Sequence, residues 1–111
     1  MNIYIMDMLT YRRPSGSKTE REFVSEYIDT IPGILADDYG NRILANSSSR
    51  VMIACHTDTV HRWTGRQRVI ERKGVAKLPH NSLSNCLGAD DTAGIYAALR
   101  MIQAGEDNVI S

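Results

Sequence analysis

The sequence predicts an α/β fold, a mixed central β-sheet flanked by helices, and three stretches carry that prediction. Residues 51–55, Val-Met-Ile-Ala-Cys, form an unbroken apolar run of strand length, the pattern of a strand covered on both faces. Residues 17–31 open on a capping box and continue with apolar side chains at helical spacing. Residues 92–104 repeat that spacing before Gly105.

Taken in order, residues 2–12 read as a short helix with Ile5, Met8 and Leu9 on one face, broken by Arg12-Arg13-Pro14-Ser15-Gly16. The Ser17 hydroxyl then accepts from the Glu20 amide while the Glu20 carboxylate reaches back. Phe23, Val24, Tyr27, Ile28 and Ile31 line one helical face until Pro32-Gly33 ends the run. Residues 34–38 and 42–45 flank Tyr39-Gly40-Asn41 as a hairpin. A polar turn at 46–49 leads into the 51–55 strand. Residues 66–71 and 75–78 pair around Lys73-Gly74, and 79–88 is loop. The second helix covers 92–104, with Ile95, Ala98, Leu99 and Ile102 as its stripe and Gly105 as its stop. Residues 108–111 read as the opening of a further strand.

Composition narrows the function classes. The 111 residues suffice for a single domain, 1–111, with one core. Hydrophobic residues make up 42% and charged residues 23%, with a formal net charge of zero. That balance excludes a disordered chain and a protein built mainly to bind nucleic acid. No apolar run approaches the ~20 residues of a membrane span. The N-terminus does not read as a secretion signal, because Asp7 interrupts its apolar stretch and the basic pair Arg12-Arg13 follows it. Cys55 and Cys86 make a poor disulfide framework, so a reducing, cytoplasmic setting is expected.

Two motifs carry chemistry. The apolar strand ends in His56-Thr57-Asp58. Side chains two apart on a strand share a face, about 6.5–7 Å apart along the backbone, so His56 and Asp58 point the same way at the strand's C-terminal end. That edge is where open α/β sheets bind ligands. Asp58 is placed to hold one ring nitrogen of a metal-bound His56. The second motif is Gly88-Ala89-Asp90-Asp91 at the start of an apolar helix. Helix capping accounts for one of these carboxylates. It accounts less well for two, whose repulsion a shared cation would relieve.

Together, a strand ending in His-Thr-Asp-Thr-Val and a Gly-Ala-Asp-Asp helix start some thirty residues later resemble the di-zinc exopeptidases, the aminopeptidases and glutamate-carboxypeptidase-like enzymes. Pro14-Ser15-Gly16 before the capped helix and Asp38-Tyr39-Gly40-Asn41 before the strand extend the resemblance over about residues 10–104. It implies a zinc-exopeptidase-like (phosphorylase/hydrolase-like) fold, present as the N-terminal part of a catalytic domain. It also implies hydrolysis of a terminal peptide or amide bond by metal-activated water, with two zinc ions. By the same resemblance His56 is a zinc ligand, Asp90 bridges both metals, Asp58 orients His56, and Asp91 is a neighbouring supporting carboxylate.

The family's adjacent glutamate pair, its further acidic ligand and its distant histidine have no counterpart in the sequence. Glu106 and Asp107 precede the strand that should carry the pair and do not replace it. The chain is therefore expected to be inactive alone and to act as a homo-oligomer or with a complementing C-terminal segment. The rival reading is a non-catalytic, self-associating α/β module. His61 and His80 read as surface loop histidines. Cys55 reads as a buried core thiol, on the opposite strand face from His56. Cys86 reads as a plain loop thiol. Arg62, Arg66, Arg68, Arg72 and Lys73 around Trp63 read as the solvated face of an edge hairpin.

Overall fold

The computed structural model describes residues 3–46 and 50–109, with side chains through Gly105. It shows a small mixed α/β domain made of helices and two small antiparallel sheets. Helix α1 is short, Ile5–Met8. It ends early because the Thr10 hydroxyl takes the Asp7 carbonyl at 2.6 Å, and because Tyr11 turns away to bridge Arg66. Helix α2, Lys18–Phe23, begins as the capping box requires, with Ser17 Oγ accepting from the Glu20 amide at 3.2 Å. The Glu20 carboxylate reaches back one residue further than expected, to the Gly16 amide at 2.7 Å. A π-helical turn, Val24–Ile28, prolongs α2.

Strands β1 (Leu35–Ala36) and β2 (Arg42–Ile43) form the first hairpin, Leu35 opposite Ile43. Its loop is longer than the three-residue turn expected. Asp37 Oδ1 accepts from the Tyr39 and Asn41 amides at 2.9 and 2.8 Å and so closes the loop before the strands can extend toward it. Strands β3 (Ile70–Arg72) and β4 (Val75–Lys77) form the second, Arg72 opposite Val75. Here Lys73 and Gly74 both take positive φ, 53° and 78°, the two-residue turn whose twist suits a hairpin.

Helix α3 runs Ala89–Val109. It passes through Gly105, where a stop was expected; an interior glycine costs only about 1 kcal/mol relative to alanine. Asn108 and Val109 are therefore helical and do not open a strand, while 110–111 lie outside the described residues.

The core sits between the helices. Ile3, Met8, Tyr11, Phe23, Ile31, Ile95 and Leu99 are buried together, with Tyr27, Ile28, Ile34, Tyr96 and Ile102 at its margin. Both predicted helical stripes supply it. Tyr11, Phe23 and Tyr27 meet ring to ring, with centroids 4.9–5.8 Å apart, the spacing of favourable edge and tilted pairs.

The expected mixed central sheet is corrected by the structure. Residues 51–55 join neither sheet, and Val51, Met52 and Ile53 are exposed, Met52 to 88%. A central strand needs a neighbour about 4.8 Å away on each side and a layer over each face. Here β1–β2 and β3–β4 pair only within themselves, and the apolar side of α3 is taken by the helical core. Cys55, expected in the core, is exposed for the same reason. Among the described residues, no helix is long and apolar enough to cross a membrane.

Candidate metal centre

Residues 57–59 are pinned to the segment before α2. The Thr59 amide donates to the Arg13 carbonyl at 2.7 Å, and the Arg13 amide donates to Thr59 Oγ1 at 3.0 Å. Arg13 Nε donates to the Thr57 carbonyl at 2.6 Å, and the Thr57 hydroxyl donates to Glu20 Oε2 at 2.8 Å. Glu20 thus caps α2 with one oxygen and holds the site segment with the other.

On the other side, the start of α3 is irregular. Asp90 (φ −94°, ψ 105°) and Asp91 (φ −116°, ψ 33°) are non-helical, and the peptide between them is cis. Regular helix begins at Thr92, whose hydroxyl donates to the Gly88 carbonyl at 2.5 Å. Gly94 lies just beyond, where an added Cβ would meet the Asp91 carboxylate and force it to turn aside.

These two supports bring the predicted residues together. His56 Nδ1 lies 2.9 Å from the Asp58 carbonyl and 3.2 Å from Asp58 Oδ1. His56 Nε2 lies 3.0 Å from Asp90 Oδ1. A carbonyl only accepts, so Nδ1 carries a proton and donates to Asp58. In the neutral ring Nε2 then aims a lone pair at a carboxylate oxygen. Two electron-rich atoms at this distance need a positive species between them. A proton serves, and His56 is accordingly held above its ordinary value, first by the hydrogen bond to Asp90 and next by that to the Asp58 carbonyl. A metal ion serves the same electrostatic need.

Donor chemistry fits zinc in kind, an imidazole nitrogen with a carboxylate oxygen. It falls short in number. Asp58 faces Nδ1, the ring nitrogen turned away from Asp90, so it orients the ring and does not share the Nε2 side. Among the described residues, no group of three or more His, Cys, Asp or Glu side chains is placed to hold a metal. Comparison with protein-family models, curated proteins and solved structures gives no match to this chain.

The remaining candidates divide. His80 is exposed, as expected of a loop histidine. His61 is not a surface residue: it is 4% exposed. Its Nδ1 faces Thr59 Oγ1 at 2.6 Å, and its Nε2 faces the Cys86 carbonyl at 2.9 Å and Gln67 Oε1 at 3.1 Å. Gln67 is fixed in turn by donating to the Leu9 and Leu87 carbonyls, at 2.8 and 2.9 Å. Both His61 nitrogens are committed, so it offers no lone pair to a metal, and burial keeps it below its ordinary pKa. The Cys55 thiol is pushed up, by partial burial first and then by the Asp91 charge and hydrogen bond, which works against a thiolate. Sequence reasoning missed Arg13, which joins both sides of the site. Its place in a helix-breaking Arg-Arg-Pro run gave no periodic signal.

Proposed function

We propose that His56, Asp58 and Asp90 are the first part of a two-zinc hydrolytic site of the exopeptidase type, acting on a terminal peptide or amide bond. The observation that carries the reading is the approach of His56 Nε2 to Asp90 Oδ1 at 3.0 Å, with Asp58 on the far side of the ring. In this reading His56 and Asp90 are the ligands, and Asp58 fixes the His56 tautomer so that Nε2 stays directed at Asp90. Bound zinc would supply a coordinated water of pKa roughly 7 and a Lewis acid for the substrate carbonyl. A catalytic zinc takes three protein ligands and the reaction needs a general base. The described residues bring two ligands, so the proposal calls for further ligands and a base from outside the described residues or from a second polypeptide. Two free thiols, Cys55 and Cys86, suit a reducing compartment such as the cytoplasm.

Zinc titration by calorimetry tests the reading. The wild-type chain should bind zinc, and His56→Ala and Asp90→Ala should each weaken binding at least about tenfold, the usual scale for disturbing a metal site. Equal affinity in all three proteins would remove it.

A second reading, a self-associating module, is favoured by one observation: the exposed apolar side chains of Val51, Met52 and Ile53 lie consecutively. Concentration-dependent sedimentation that Met52→Lys abolishes would support it; a monomer at all concentrations would not.

A further inference from the structure

We propose that Arg13 is the positioning residue that sets the separation of His56 and Asp90, by tying the His56 segment and the start of α3 to one guanidinium. Arg13 is fully buried. Its Nε donates to the carbonyl of Thr57, the residue after His56, at 2.6 Å. One terminal nitrogen donates to the hydroxyl of Thr92, two residues after Asp90, at 2.5 Å. The other donates to the Met8 carbonyl at the end of α1, at 3.2 Å. The guanidinium carbon lies 3.8 Å from the centre of the Phe23 ring, on α2. One planar group thus touches four segments, and two of them carry the ligand pair.

Filling a core does not require this arrangement. Taking a charged group out of water is costly, and burial lowers the Arg13 pKa enough that it stands at about 10 even with the opposing pull of Glu20, Asp58 and Asp91. A buried ionic group is often replaceable by an apolar one of similar volume with no loss of stability. What an apolar side chain cannot do is hold two separate backbone segments at a fixed spacing. Lysine cannot either, because its three donors radiate from one atom while the arginine fork presents five in a rigid plane. The neighbouring contacts add stiffness: the two-way backbone pairing of Arg13 with Thr59, and the Thr92 hydroxyl passing on to the Gly88 carbonyl.

The mechanical link stands on these bonds alone; its consequence for metal affinity rests on the zinc reading. Arg13→Lys and Thr92→Val are compared with wild type as metal-free chains by proton–nitrogen NMR, followed by zinc titration of each. Expected is a joint displacement of the His56 imidazole and Asp90 amide signals, with those of the β3–β4 hairpin unmoved. Zinc affinity should fall about tenfold or more in Arg13→Lys and less in Thr92→Val. If Arg13→Lys does not fold, Thr92→Val decides alone, since at nearly constant volume it deletes the hydroxyl that accepts from Arg13 and donates to the Gly88 carbonyl. Unmoved His56 and Asp90 signals in folded Thr92→Val overturn the proposal, as does movement spread equally over the hairpin. Moved signals in a chain that binds no zinc support the Arg13 link and remove the zinc reading instead.

Discussion

Gly88→Ala is expected to destabilise the fold by about 2–4 kcal/mol, and the structure divides that figure into two parts. Gly88 has φ +85°, and a Cβ there would stand 2.7 Å from His61 Cε1 and 3.4 Å from Thr59 Cγ2. The left-handed backbone costs a non-glycine residue about 1–2 kcal/mol. The remainder comes from His61, which must retreat by most of an ångström although both its nitrogens are bonded, to Thr59, Cys86 and Gln67. Losing one or two such bonds costs about 1 kcal/mol each. For a chain near 100 residues, 1 kcal/mol moves the melting temperature by roughly 4 °C, so a fall of about 8–16 °C is expected. Gly74→Ala is the control. It has a similar φ, +78°, but nothing within 4 Å of the added methyl, so it isolates the backbone part. Calorimetric melting of both variants gives the His61 contribution as a difference. A Gly88→Ala protein no less stable than Gly74→Ala would refute the tightly held His61.

Other perturbations probe separate parts of the account. Phe23→Ala removes a fully buried ring packed on Tyr11, Tyr27 and Arg13, and should cost about 3–5 kcal/mol in urea denaturation; a loss below about 1 kcal/mol would contradict the helical core. Lys73→Asn should stabilise by roughly 0.5–1 kcal/mol, because φ 53° suits asparagine better in this turn, and an unchanged urea midpoint would argue against the two-residue turn. Stability should also fall with acid through His61. Burial lowers its folded pKa below the unfolded value of about 6.5, so its neutral form contributes stability above that pH, which is lost as pH falls through the folded value. Arg12 and Arg13 add to the penalty on the cation. Denaturation midpoints at pH 7.5 and 5 should therefore differ, and the difference should shrink in His61→Gln; an equal difference in that variant would assign it elsewhere.

Local signals were read well where local forces decide. Ser17 and Glu20 cap α2, Lys73-Gly74 turn the second hairpin, and Ile95 and Leu99 face the core, because each outcome is settled within a few residues. His56, Asp58 and Asp90 do approach one another, as the two motifs together suggested, but not by the expected route, because the strand whose end was to align His56 with Asp58 is not formed. Residues 51–55 were misread because an apolar run states what the segment would prefer to touch, whereas β1–β2 and β3–β4 pair only within themselves and the run stays exposed. Arg13 was missed and His61 misread for the opposite reason. Their burial depends on partners far along the chain, Thr92 lying 79 residues from Arg13 and Cys86 lying 25 from His61. No window on the sequence registers such pairings.

The central claim is that His56 Nε2 and Asp90 Oδ1 face each other as a cation site. Anomalous scattering at the zinc edge from crystals soaked in zinc tests it most directly. A peak is expected within coordination distance of both atoms, with Asp58 still on Nδ1, and no such peak in His56→Ala crystals. A zinc peak at His80 or elsewhere, with the His56–Asp90 pair empty, would contradict it.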